Sequence, residues 1–135
     1  MPLQRMEHYL VLCDDIDGTK AFYCDALGMT AGFRPNLNFP GYWLYVGDTP
    51  CIHIAEWKTY AIWTKEVGIP ISTKAPGTGP VDHIAFNATG FDDMLTRLKR
   101  CGIEPSQNSL DDIGLRQLFL HDPNGVAIEL NFRSQ

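Results

Sequence analysis

The stretch HDPNGVAIELNF, residues 121–132, decides how this chain is read. Asp122-Pro123-Asn124-Gly125 is a strong turn signal, because Pro presets one backbone angle and Asn-Gly tolerates the positive φ of tight turns. An apolar run follows, Val126 to Phe132, of strand length. One carboxylate, Glu129, stands inside it. Removing a charge from water without a partner is costly, so Glu129 must be paired with something.

Working outward, the segment RQLFL (116–120) precedes the turn and makes the other arm of a hairpin. Further back lies DHIAFNATGFDDMLTRLKRCGIEP, residues 82–105. The first half of the chain repeats this order with EHYLVLCDDIDGTKAFYCDALGM (7–29) and then WLYVGDTPCIHIAE (43–56). An acid-His pair opens each half, Glu7-His8 and Asp82-His83, and a short apolar strand follows. Eight residues after each His stands Ile16 or Phe91, followed by Asp17 or Asp92 and a helix. Each helix ends near a glycine, Gly28 or Gly102. Each half then closes with strand, polar turn and strand, the first-half turn being Gly47-Asp48-Thr49-Pro50.

The expected order in each half is therefore strand, helix, strand, strand, strand. In the first half the later strands are placed at Thr30 to Pro35, Tyr42 to Val46 and Cys51 to Glu56. In the second half they fall within Pro105 to Leu110, at Leu115 to Leu120 and at Val126 to Phe132. Helical stripes are expected at Phe22, Ala26 and Leu27, and at Met94, Leu95 and Leu98. Asp14, Asp15 and Asp17 suit the start of the first helix, as Asp92 and Asp93 suit the second, by capping and by the helix dipole. The domain reading is one α+β domain of two βαβββ modules, residues 5–57 and 80–133. A connection at 58–79, rich in Gly and Pro, joins them and has room for a short helix at Ala61 to Val67. Neither half alone buries much core; two sheets, packed or curved against each other with helices outside, would.

Composition narrows the function. Hydrophobic residues make up 44% and charged residues 20% of the 135, which fits a folded globular chain and not a disordered one. The formal charge is −5 and no basic patch stands out, so nucleic acid is not the expected partner. No apolar run is long enough to cross a bilayer. Met-Pro-Leu-Gln-Arg is too short and polar for a signal peptide, so a cytoplasmic protein is expected. Cys13, Cys24, Cys51 and Cys101 form no Cys-x-x-Cys pair and are read as reduced. Cys51 is read as apolar filler on its strand.

Aligning the halves on their strand ends brings four residues into correspondence. His8 matches His83, and His53 on the last strand of the first half matches Glu129 on the last strand of the second. The separations are 45 and 46 residues. Strand side chains alternate faces, so adjacency of the first and last strands would let His8 share a face with His53, and His83 with Glu129. Three imidazoles and a carboxylate suit a divalent Fe, Mn, Ni, Co or Zn ion. Glu129 would then share a metal with histidines. His121, at the hairpin turn, breaks the pattern and has no assigned role.

The two halves resemble the paired βαβββ modules of the vicinal oxygen chelate superfamily, which includes glyoxalases, bleomycin-resistance proteins and extradiol dioxygenases. FYCDALGM, DHIAF and HDPNGVAIEL carry the resemblance, which spans Glu7 to Phe132. It implies a cup of curved mixed sheet with a metal at its base that chelates two neighbouring substrate oxygens. It places His8, His83 and Glu129 at the ligand positions of most metal-using members. His53 falls where glyoxalase I has a glutamate. Two departures bear on the reaction. Ring-cleaving members carry a Tyr where this chain has Phe119, and a His in the segment where this chain reads IGLRQLF. Glu129 alone remains as a metal-site base for glyoxalase-type proton transfer. The donors make either a set of four ligands or a His8, His83, Glu129 triad with His53 beside it as an acid-base group or substrate contact.

An aromatic-rich segment, NFPGYWLYVG (38–47), offers a wall for an aromatic or otherwise apolar substrate body, with Trp43 and Tyr45 on one face. Arg116, Gln117 and Arg34 are candidates for holding an anionic group, with a surface arginine the preferred reading of Arg34, and Phe119 is a second pocket residue. The resulting expectation is a homodimeric, metal-dependent small-molecule enzyme with Glu129 and His53 as catalytic residues. An isomerase or lyase reaction is favoured, an extradiol-type dioxygenase on a catechol-like substrate is the alternative, and a drug-binding module without chemistry is the third reading.

Overall fold

The computed structural model describes residues 1–134. It is an α+β structure of two four-stranded mixed sheets with three helices. The chain divides into two compact units, one of residues 1–24 and 28–74, the other of 25–27 and 75 onward.

In the first unit the strands are β1 (Tyr9–Cys13), β2 (Thr30–Gly32), β3 (Gly41–Val46) and β4 (Thr49–Glu56). Their order in the sheet is β1-β4-β3-β2, with β1 and β4 parallel and the other neighbours antiparallel. Alternation sorts the side chains. Val11, Cys13, Leu44, Ile52 and Ile54 are buried and form the core of this sheet. Helix α1 (Ile16–Ala21) starts at Asp15, whose Oδ1 accepts from the Gly18 amide at 2.9 Å. Asp17 accepts from the Tyr42 hydroxyl at 2.5 Å, and Asp14 pairs with Lys74. The three acids thus cap and tether.

The helix then continues as a π turn over Phe22–Ala26. The wider turn advances the buried face by one residue. Ala26 is buried as expected, but Tyr23 joins it in place of Phe22 and Leu27, which are only part-buried. Two further boundaries differ. β2 stops at Gly32, short of Pro35, a residue with no amide to donate to a ladder. Helix α2 runs from Trp57 to Val67, a full turn earlier than expected, and ends on Gly68 at φ 76°. Its Tyr60 and Trp63 hold Phe39 at ring distances of 5.1 and 4.8 Å, so much of the connecting segment belongs to the first unit.

The second unit repeats the plan with β5 (Ile84–Ala88), α3 (Phe91–Arg100), β6 (Ser106–Leu110), β7 (Leu115–His121) and β8 (Ala127–Arg133). The order β5-β8-β7-β6 is the first sheet's order with every label advanced by four. Leu118, Leu120, Ile128, Leu130 and Phe132 are buried together with Phe91 and Leu98 of α3. Asp122 shapes the β7–β8 turn by accepting from the Asn124 and Val126 amides at 2.7 and 2.9 Å. No helix among the described residues is long and apolar enough to cross a membrane.

Candidate metal centre

In the first unit, parallel pairing sets Leu10 beside His53. His8, two residues before Leu10, falls on the same face. The two imidazoles stack at 3.7 Å with planes 14° apart. Trp43, opposite His53 in the β3–β4 ladder, stacks on the other side of His53 at 4.1 Å and 8°. His53 is thus the middle ring of three. Burial, then the neighbouring His8, push its pKa down from 6.5 to about 4, and Arg34 adds a smaller push the same way. It is neutral at neutral pH and keeps a free lone pair. His8 donates from Nδ1 to Glu7 Oε1 at 2.9 Å, since an ionised carboxylate can only accept. That fixes the tautomer and leaves the His8 Nε2 lone pair outward.

Imidazole lone pairs lie in the ring plane. In a near-parallel stack, a cation in the plane of His8 sits about one stacking distance out of the plane of His53. As the rings stand, both cannot ligate one ion.

In the second unit, β5 and β8 pair in parallel with Ala85 beside Glu129, and His83 comes two residues before Ala85. His83 Nε2 lies 3.6 Å from Glu129 Oε1. His83 Nδ1 donates to Asp82 Oδ2 at 2.8 Å, repeating the Glu7–His8 contact of the first unit. The Asp82 hydrogen bond raises the His83 pKa; desolvation opposes it, and the Glu129 and Asp82 charges add to the rise.

Glu129 is only 16% exposed, and its other oxygen is held too. Asn131 Nδ2 donates to Glu129 Oε2 at 2.8 Å, Gln117 Nε2 donates to Asn131 Oδ1 at 3.1 Å, and Asn108 Nδ2 donates to Gln117 Oε1 at 2.9 Å. The row crosses three strands in register, Asn131 with Gln117 and Gln117 with Asn108. In the structure Glu129 is paired with His83 and Asn131.

Metal fit can be tested on these atoms. Ligands bonded at ~2.1 Å lie ~3.0 Å apart at right angles and ~4.2 Å apart when opposite. The 3.6 Å between His83 Nε2 and Glu129 Oε1 falls between these limits. With Nδ1 held by Asp82, Nε2 is the nitrogen turned toward Glu129: protonated, it makes an ion pair with Oε1, and neutral, it offers a lone pair that a shared cation would join to the carboxylate. The pair fits a metal. Among the described residues, no three His, Cys, Asp or Glu side chains gather at one point.

The other expected site residues divide. Phe119 pairs directly with Glu129 across the β7–β8 ladder and shares its face. Trp43 stands in the ring stack. Tyr45 lies over Gly32, where a Cβ would come within 2.8 Å of its ring, and its hydroxyl donates to the Phe33 carbonyl at 2.7 Å. Arg116 does not join them. It shares a face with Leu118 and Leu120, and its guanidinium covers the Phe91 ring at 3.5 Å, on the core side of the sheet. His121 is exposed at the end of β7. The sequence reading does not single out Asn108 and Asn131, although polar residues at every second position of β8 signal the row; Gln117, a candidate substrate contact, is tied into it. Arg34, read as a surface arginine, is part-buried near His53.

The sequence model of the Glyoxalase/Bleomycin resistance protein/Dioxygenase superfamily matches residues 5–130. The chain belongs to this superfamily. It is 31% identical to "Glyoxylase I 4" of Arabidopsis thaliana over 135 residues, covering 95% of this chain and 70% of that protein. Among solved structures it resembles a lactoylglutathione lyase from Agrobacterium tumefaciens at TM-score 0.65 and 18% identity, covering 98% of this chain and 96% of the other. It also resembles a fosfomycin resistance protein from Listeria monocytogenes, solved as a mutant with Mn(II) and a dihydroxypropylphosphonic acid. That likeness has TM-score 0.69 and 15% identity, over 98% and 94% of the two chains. These two structures agree with the superfamily fold.

Proposed function

We propose that the chain is a metal-dependent small-molecule enzyme of the isomerase or lyase type, acting on substrates with two neighbouring oxygens. His8, His83 and Glu129 hold one divalent cation. His53 stands beside the triad as a neutral, stacked imidazole that contacts substrate. The observation carrying this reading is the His83 Nε2–Glu129 Oε1 pair at 3.6 Å, with Asp82 and Asn131 fixing both partners from behind.

The cation, when bound, supplies Lewis acidity toward negative charge developing on a substrate oxygen. The chain's own residues do the rest. Asn131 turns the carboxylate so that Oε1 faces His83. Glu129 takes the proton from the carbon beside the substrate carbonyl and returns it. Trp43 and His53 form a flat wall that orients the substrate body. A homodimer is part of the proposal, with the first pair of one copy completing its site with the second pair of the other. The Mn(II) of the Listeria relative supports a hard divalent ion, and the imidazole-rich donor set admits Fe, Ni, Co or Zn equally.

The dioxygenase reading is weaker because Phe119, directly across from Glu129, has no hydroxyl to donate or accept a proton. The two separate in one experiment. Protein loaded with Mn(II) or Ni(II) is incubated in D2O with small carbonyl compounds bearing neighbouring oxygens, and dissolved oxygen is followed alongside. Deuterium incorporation at the carbon next to the carbonyl, lost in Glu129→Gln, is expected without oxygen uptake. Oxygen uptake with a ring-opened product from a catechol would overturn the proposal.

A further inference from the structure

Arg34 follows β2, and continuing the β2–β3 register two residues past Gly32–Trp43 sets it opposite Gly41. The geometry agrees. A Cβ at Gly41 would come within 3.0 Å of Arg34 Nη2 and would strike the Ile54 carbonyl, so the guanidinium passes over a position that only glycine leaves open. Gly41 pairs with Ala55, and two residues along the same face Trp43 pairs with His53. The guanidinium is therefore one residue pair away from the ring stack, and its charge is felt at His53.

Its own surroundings lack a counter-ion. Nη2 donates to the Phe39 carbonyl at 2.9 Å, and the Phe39 ring lies 5.0 Å from Cζ. Nε is buried without a hydrogen-bond partner. None of the ion pairs among the described residues involves Arg34. Burial lowers its pKa with no carboxylate to offset the effect. A part-buried cation held by one carbonyl and one ring is under-compensated, because desolvating a charge costs more than those contacts return. The remaining N–H groups of Nη1 and Nη2 form the planar fork that matches two oxygens of a carboxylate or phosphonate.

We infer that Arg34 is the anion-binding residue of the site, and that the substrate carries a carboxylate or phosphonate docked on this guanidinium. The inference rests on the proposed function for calling the face a substrate site, but anion binding itself needs no metal. An anion on Arg34 projects the rest of the molecule along the sheet toward Trp43 and His53. The chain thereby selects small acids over neutral carbonyl compounds.

The test titrates phenylphosphonate into the 135-residue protein, once after chelator treatment and once after Mn(II) loading, with benzamide as the neutral control. Wild-type protein is expected to bind the phosphonate and to show a shifted Arg34 Nε–H resonance in both states. Arg34→Gln should weaken the phosphonate at least 10-fold and leave benzamide unchanged, while Arg34→Lys restores part of the loss. Absence of phosphonate binding to wild type, or equal binding to wild type and Arg34→Gln, overturns the inference. If no metal binds but the phosphonate still depends on Arg34, the metal proposal falls and this assignment stands.

Discussion

The two modules share one backbone plan and use it differently. In both, the residue before the first parallel strand and a residue on the last strand face each other: His8 with His53, and His83 with Glu129. In both, the cross-strand neighbour of the last-strand residue is aromatic, Trp43 or Phe119. The next pair along diverges. The first module has the small residues Gly41 and Ala55, and Arg34 passes over Gly41. The second has Gln117 and Asn131, and Asn108 completes an amide row. Duplication sets where side chains meet, and substitution at the next register position decides what they do. One module presents flat rings and a cation; the other presents a carboxylate clamped from behind.

That contrast can be broken experimentally. The largest effect is expected from removing the clamp. Asn131→Ala frees Glu129 Oε2, and loss of such a supporting hydrogen bond costs roughly 10–100-fold in metal affinity. Mn(II) titration of the variant checks this, with circular dichroism confirming the fold. Affinity equal to wild type would show that the amide row is only structural. The matching change in the first module, Trp43→Ala, should cost about 2 kcal/mol of stability, less than a fully buried Trp, because Trp43 is only part-buried. Denaturant unfolding reads that cost.

The same variant moves the pH response. His53 binds its proton only near pH 4 when folded, but near its ordinary 6.5 when unfolded. The unfolded state takes up the proton first, so stability falls as pH drops from about 6.5 toward 4. Trp43→Ala lets solvent reach His53, raises its folded pKa and flattens that fall, which histidine NMR titration follows directly. The smallest effect is expected at Gly32→Ala. Its methyl would press on the Tyr45 ring, which the bond to the Phe33 carbonyl holds in place. A loss of about 1 kcal/mol is expected from thermal unfolding, with metal affinity untouched.

Much of this was legible in the sequence, for physical reasons. The module plan was readable because turn residues, glycine helix ends and the acid-His pairs recur at fixed separations. The pairing of His8 with His53 and of His83 with Glu129 followed from alternation once the strands were placed. Arg116 was misplaced although the same alternation puts it with Leu118 and Leu120, on the core face. The alternate polar positions of β8 are visible in one strand's pattern, but the partners of the amide row and the place of Arg34 depend on register between strands, which that pattern does not encode. Tyr23 in place of Phe22 depends on a π turn, and the early start of α2 has no capping side chain to announce it, since Glu56 makes no cap hydrogen bond.

In the proposed site His8, His83 and Glu129 share one cation and His53 stands outside the ligand set. Elemental analysis of untagged protein, beside His83→Ala and His53→Ala variants loaded identically, tests it most directly. Stoichiometric divalent metal is expected in the wild type, with its loss in His83→Ala and its retention in His53→Ala. Metal retained in full by His83→Ala, or bound by none of the three, would contradict it.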